Sequence, residues 1–114
     1  MIGPLIRVDG GHYMDAGIRS NENLDLAAEY DELLVVSPRG ATCPQAFGGR
    51  TLHEETAELL AIGRRVDVVE PEGDALDLVC EHMMDSSASD DLAALGREQG
   101  GRLADRLSFL AAAR

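Results

Sequence analysis

An apolar strand pattern, a helix pattern and a second apolar strand pattern occur in this order along the chain, and this succession most constrains the fold. Residues 33–36 form a continuous apolar run, typical of a strand buried on both faces of a sheet. Residues 51–54 match a helix capping box, and apolar or small side chains then fall at the spacing of one helix face, namely Leu52, Thr56, Leu59 and Leu60. Gly63 marks the end of that helix, and residues 66–71 form the next strand. The short links predict a βαβ unit with a parallel strand pair.

A β-hairpin is predicted before this unit. Residues 5–14 alternate apolar and polar side chains around Asp9, Gly10 and Gly11, which favours a tight turn between two short strands. We therefore assign the Asp9 turn to structure. The same pattern predicts that the second strand leads directly to Asp15.

Asp15, Ala16 and Gly17 form a second turn signal at the end of that strand. An Asp-small-Gly sequence places a carboxylate in a tight turn that its neighbours cannot cover, so we expect Asp15 to face a cleft. If the backbone at Ala16 needs a positive φ, its methyl group costs strain or moves the carboxylate.

The segments around the βαβ unit carry weaker signals. Asn23 is predicted to cap a short helical turn through Leu24, Leu26 and Ala27. Ser37 follows the first apolar run, but a nucleophile elbow needs small residues two positions to either side, where this chain has Val35 and Arg39. We interpret Ser37 as a strand-end hydroxyl.

The C-terminal part is predicted to be helical. Residues 74–84 carry apolar side chains at helical spacing, and Asp90 and Asp91 belong to the first turn of a long amphipathic helix that runs towards Arg114. Gly96 and Gly100 lie on one side of this helix, where it could approach a neighbour closely or be weakened by the glycines. Leucines mark its apolar face: Leu92, Leu95, Leu103, Leu107 and Leu110.

Residues 13–27 and the apolar run after them resemble the second signature of the patatin-like phospholipases and acyl hydrolases. That signature is a D-G-G/A turn followed by an Asn-containing loop and a hydrophobic strand. Asp15, Ala16 and Gly17 take the place of the turn, although the family usually carries Gly where this chain has Ala16, and Asn23 takes the place of the loop Asn.

The resemblance implies the C-terminal portion of a patatin-like domain, an α/β fold of the three-layer kind that is present here only in part. Residues 1–17 would be the hairpin and Asp turn, residues 18–71 the loop, strand, helix and strand, and residues 72–114 the C-terminal helices. The family uses a Ser-Asp dyad on lipid or small ester substrates. By that resemblance Asp15 would be the catalytic aspartate, with Ala16, Gly17 and Asn23 supporting it, and no cofactor is implied.

The nucleophile half of the family's site does not occur in this sequence. The chain contains no G-x-S-x-G motif and no Gly-rich oxyanion loop near its start. We therefore expect this chain to be a poor hydrolase on its own. It would derive from a shortened gene, a miscalled start or one half of a split enzyme. Two alternatives stay open: a non-catalytic acidic α/β module whose sheet edge docks onto another chain or a second copy, and a gene remnant.

The net charge of −11 argues against nucleic acid and anionic membrane surfaces as partners. No apolar run approaches the roughly 20 residues that span a bilayer, and the N-terminus lacks a basic-then-apolar leader, so a cytoplasmic location is expected. Cys43 and Cys80 are far apart and are expected to be reduced. His12, His53 and His82 do not combine with other Cys or His residues in a metal-type spacing, so no metal site is predicted.

Overall fold

The computed structural model describes residues 3–41, 49–82 and 85–107. Within these residues the chain is mixed α/β, with two separate two-stranded sheets, three α-helices and short 3-10 turns. In chain order the regular elements are β1 Ile6–Val8, β2 Gly11–Tyr13, β3 Glu32–Val36, α1 Leu52–Ala61, β4 Arg65–Val69, α2 Asp74–His82 and α3 Ser89–Leu103. None of the helices in this part of the chain is long and apolar enough to cross a membrane.

The predicted hairpin is confirmed. β1 and β2 pair antiparallel, with Ile6 opposite Tyr13. The turn residues Asp9 and Gly10 have φ values of 48° and 83°. Two consecutive positive φ values are the mark of a type I′ turn, whose twist matches that of the two strands it joins. The Asp9 turn is therefore structural.

The predicted parallel pair is also confirmed, because β3 and β4 run side by side with Leu33 opposite Val66 and Val35 opposite Val68. The burial of β3 differs from the prediction of a strand covered on both faces. Leu33 and Val35 are buried, whereas Val36 is 66% exposed. The reason is that helix α1 and the turn after Asn23 pack against one face of this sheet, while the opposite face is only partly covered.

The core is a single small cluster between that face of the sheet and α1. Among the described residues it is built from aliphatic side chains on three elements, Leu24, Leu33, Val35, Leu52 and Leu59, with Ala27, Ala28, Val66 and Val68 packed at its edge. Because the cluster includes Leu24, the loop that follows the Asp15 turn is anchored to the same core as the βαβ unit.

Helix α1 begins with the predicted capping box. The Thr51 hydroxyl accepts from the Glu54 N–H at 3.2 Å, and the Glu54 carboxylate accepts from the Thr51 N–H at 2.9 Å. The hydrogen bonds from the Thr51 backbone and hydroxyl hold the pKa of Glu54 below its usual value. Because the folded-state pKa is the lower one, the contribution of Glu54 to stability is present at neutral pH and is lost as the pH falls through that lowered value.

The buried face of α1 differs from the predicted one. Leu52 and Leu59 are buried, but Leu60 is 53% exposed, and Glu55 occupies the inward position between the two buried leucines. Residues 52, 55 and 59 form one stripe at 3.6 residues per turn, and residue 60 falls at its edge. A sheet of two strands is too narrow to cover that edge.

The C-terminal helices follow the prediction in part. α2 spans Asp74–His82, and residues 83–84 lie outside the described part of the chain. α3 carries Asp90 and Asp91 in its first turn, as predicted. It ends at Leu103 instead of continuing: Leu107 is not helical, and residues 108–114, which include Leu110, lie outside the described residues.

Buried Gln99 ties α3 to the end of β4, since its side-chain N–H donates to the Glu70 carbonyl at 2.7 Å. The close helix approach considered for Gly96 and Gly100 is not found, because a Cβ at either position would meet no described atom within 4 Å. α3 is therefore held by this hydrogen bond and by its contacts with α2, and not by glycine-mediated packing.

Candidate functional site

The Asp15 carboxylate begins the 3-10 turn Ala16–Ile18, which follows β2. Its Oδ1 accepts a hydrogen bond from the Gly17 N–H at 2.8 Å, and the side chain is exposed. Among the described residues Oδ2 has no hydrogen-bond partner. The turn therefore fixes one carboxylate oxygen and leaves the other exposed.

Ala16 and Gly17 have different roles in this turn. Among the described non-glycine residues only Asp9 and Asn23 have a positive φ, so Ala16 carries no left-handed strain. At Gly17, by contrast, a Cβ would lie 3.1 Å from the Asp15 Oδ1. A side chain at position 17 would therefore make the Asp15 carboxylate shift by a few tenths of an ångström, because the carboxylate approaches this part of the backbone closely.

We predict that Gly17→Ala pushes the Asp15 carboxylate out of its hydrogen bond. A lost bond of about 1 kcal/mol should raise amide hydrogen exchange at residue 17 by roughly fivefold, measured by NMR. Ala16→Gly is the matched control and should leave exchange at residue 17 unchanged. If both variants behave like the parent chain, the close approach does not constrain the turn.

Asn23 adopts the left-handed conformation, with φ 52°, before the 3-10 turn Leu24–Ala27. The helical turn is as predicted. The prediction that the Asn23 side chain caps it is wrong, because this side chain accepts no hydrogen bond from the turn. Its Nδ2 instead donates to the Ser20 carbonyl at 2.8 Å and to the Ala16 carbonyl at 3.5 Å. The left-handed backbone turns the side chain back, so Asn23 closes the loop onto the residue after Asp15.

Ser20 and Glu55 form a buried polar pair that the sequence analysis did not identify. They are 1% and 2% exposed. The Ser20 hydroxyl donates to Glu55 Oε2 at 2.9 Å and accepts from the N–H groups of Asn23, at 2.9 Å, and Glu22, at 3.1 Å. Glu55 Oε2 also accepts from the Leu24 N–H at 3.4 Å. The sequence signal that could have revealed this pair is Glu55 itself, a lone acidic residue on the apolar stripe of α1.

Arg19 and Asp25 brace the outer side of the same loop. The guanidinium donates to both carboxylate oxygens of Asp25, in one case at 2.8 Å, and also to Asn23 Oδ1 at 3.0 Å. The hydrogen bond from Arg19 holds the pKa of Asp25 below its usual value. This two-bond pairing fixes the orientation of both side chains, although they are largely exposed.

Ser37 follows β3 and is fully buried, so the predicted strand-end position is confirmed. Its hydroxyl donates to Glu22 Oε1 at 2.8 Å and accepts from the Gly40 N–H at 3.1 Å. Both hydrogen bonds tie the hydroxyl to neighbouring loops at the end of β3.

Other chemistry finds little support in the described residues. Within 3–41, 49–82 and 85–107 no group of three or more His, Cys, Asp or Glu side chains is arranged to hold a metal ion. Cys80 is an exposed, reduced thiol, and Cys43 lies outside this part of the chain. The Asp15 turn is therefore the candidate functional site.

Comparison with protein-family models, with curated proteins and with solved structures found no match to this chain. The fold and the site define a small mixed α/β chain that presents an exposed aspartate on a hydrogen-bonded loop.

Proposed function

We propose that this chain is the aspartate-bearing C-terminal segment of a patatin-like serine acyl hydrolase that acts on a lipid or a small ester without a cofactor. The observation that carries the proposal is the Asp15 turn. An exposed carboxylate follows a strand, one of its oxygens is held by the Gly17 N–H, and Asn23 closes the following loop onto the same turn. These are the residues in which the sequence resembles the family's second signature.

In this role Asp15 acts as the general base. With Oδ1 engaged by Gly17, Oδ2 is the atom that would accept the hydroxyl proton of a serine as that serine attacks the ester carbonyl. The same oxygen would return the proton to the departing alkoxide. The serine and the oxyanion donors would come from a G-x-S-x-G segment and a Gly-rich loop on another polypeptide, because this sequence contains neither.

The proposal also accounts for the incomplete cover of the sheet. A parallel sheet is normally covered on both faces and extends over more than two strands. Here β3 pairs only with β4 among the described residues, and Val36 is exposed on the partly covered face. A preceding segment of a three-layer domain would supply the missing strands and the second helical layer.

The test is to translate the DNA immediately upstream of the Met1 codon and to produce the encoded polypeptide separately from this chain. Hydrolysis of p-nitrophenyl butyrate is then measured for each polypeptide and for their mixture. We expect activity in the mixture, and its loss when the serine of a G-x-S-x-G motif in the upstream polypeptide is changed to alanine. Absence of such a motif, or an inactive mixture of folded polypeptides, would overturn the proposal.

A second candidate is a non-catalytic interaction module, favoured by the apolar side chains that the hairpin exposes. Leu5, Ile6, Val8, Tyr13 and Met14 are all exposed. An apolar patch beside open strand edges is typical of a surface that pairs with another chain or a second copy. Under this hypothesis light scattering shows one defined oligomer of the 114-residue chain, and the upstream polypeptide adds no activity. A gene remnant would instead unfold with weak cooperativity.

A further inference from the structure

We propose that Glu55 is a positioning residue for Asp15, and that it acts through Ser20 and Asn23. The inference rests on the proposed function in one respect, since it takes Asp15 as the proton acceptor. The juxtaposition itself is a continuous path of hydrogen bonds from the buried face of α1 to the turn that carries the aspartate.

The path begins in the core. Glu55 lies between Leu52 and Leu59 on the buried stripe of α1, and both leucines belong to the core cluster. Its carboxylate is therefore held by the packing of the helix. Oε2 accepts from the Ser20 hydroxyl and from the Leu24 N–H, so one buried oxygen receives two donors of the loop.

The second step passes through Ser20. A serine hydroxyl has one proton to donate and two lone pairs with which to accept. Because that proton goes to Glu55, the lone pairs of Ser20 are directed at the N–H groups of Glu22 and Asn23. Without an acceptor at position 55 the hydroxyl would be free to rotate, and the backbone of residues 22–23 would lose its fixed partner.

The third step connects Asn23 to the Asp15 turn. The Ala16 carbonyl accepts from the Arg19 N–H at 3.0 Å, from the Ser20 N–H at 3.3 Å and from the Asn23 side chain at 3.5 Å. The turn Ala16–Ile18 contains no buried residue. Its position, and with it that of the Asp15 carboxylate, therefore depends on these hydrogen bonds more than on apolar packing.

Stability alone does not account for a carboxylate at position 55. A buried acid costs free energy unless all of its lone pairs are satisfied, and Glu55 Oε1 has no partner among the described residues. A leucine would continue the stripe between Leu52 and Leu59 without that cost. What the carboxylate adds is a strong acceptor that orients the Ser20 hydroxyl and the Leu24 N–H.

The experiment measures amide hydrogen exchange by NMR on this chain alone, for Glu55→Leu, Glu55→Gln and the parent. In Glu55→Leu we expect exchange at residues 20–24 to rise by roughly fivefold to thirtyfold, which corresponds to the loss of bonds worth about 1 to 2 kcal/mol, with exchange in β3 unchanged. Glu55→Gln should restore the protection, because its amide oxygen can accept the same two bonds. Ala57→Leu, which places the same side chain at an exposed position of the helix, is the control and should change neither region.

Unchanged exchange at residues 20–24 in Glu55→Leu would overturn the inference, and so would an equal rise in β3, which would indicate general destabilisation. If Glu55→Leu does not fold, Ser20→Ala takes its place: it removes the central hydroxyl and should release Glu22 and Asn23 in the same way. Protection that survives in Ser20→Ala would equally contradict the path.

The effect on activity is measured with the upstream polypeptide present. Glu55→Leu should lower kcat by up to about 100-fold with little change in KM, and Glu55→Gln should recover most of it, because a small displacement of a catalytic group affects the chemical step first. An inactive parent mixture would count against the proposed hydrolase and leave the exchange result intact. An active parent mixture with no kcat change in Glu55→Leu would count against Glu55 alone.

Discussion

Under the proposed hydrolase function, Asp15→Asn should reduce ester hydrolysis by the mixture of this chain and the polypeptide encoded upstream by at least about 100-fold, the scale of a lost general base. Asparagine has nearly the shape of aspartate, and its Oδ1 can still accept from the Gly17 N–H that now binds the carboxylate at 2.8 Å. The turn should therefore persist while its ability to take up a proton is lost. We expect the loss in kcat, with KM nearly unchanged.

Asp9→Asn is the matched control for this prediction. Asp9 belongs to the more literal D-G-G sequence, but the structure places it in the hairpin turn with φ 48°, a conformation that asparagine also tolerates. Its replacement should leave hydrolysis unchanged. Equal activity in the parent and Asp15→Asn mixtures would show that Asp15 is not the base, and a loss confined to Asp9→Asn would transfer the assignment to the hairpin turn.

Leu59→Ala should lower the free energy of unfolding by about 2 to 5 kcal/mol, the cost of removing a buried leucine side chain and leaving a cavity. Leu59 is 3% exposed and contributes to the single core cluster, which also holds Leu24 and the two buried residues of β3. The total free energy of unfolding of a small domain is roughly 5 to 15 kcal/mol, so this one substitution removes a large share of it. Urea denaturation followed by circular dichroism measures the difference.

Leu60→Ala, at the next position of the same helix, should change the free energy of unfolding by no more than about 0.5 kcal/mol, as is usual for surface substitutions. The sequence pattern assigned both leucines to the buried face, whereas the structure buries only Leu59. Comparable destabilisation by the two variants would mean that a further layer covers Leu60 in solution.

Local signals in the sequence determined the elements that were predicted correctly. The Asp9 turn, the Thr51 capping box and the stop at Gly63 each depend on the φ preference or hydrogen bonding of neighbouring residues, so they can be read without knowledge of the fold. The exposed Asp15 turn belongs to the same class, because Asp-small-Gly specifies a local conformation. The parallel pairing of β3 and β4 followed from the strand–helix–strand order and from the short link between α1 and β4.

Only the tertiary structure decided which side chains those elements bury and how the candidate site is held. Val36 and Leu60 match apolar patterns yet lie exposed. The two-stranded sheet packs fully on one face only, and it is wide enough to cover only a narrow stripe of α1. Glu55 can occupy that stripe because its carboxylate accepts a hydrogen bond from the hydroxyl of Ser20, which lies 35 residues away in sequence. Sequence periodicity records spacing along one element and carries no information about which distant residue packs against it, so the support of the Asp15 loop became visible only in three dimensions.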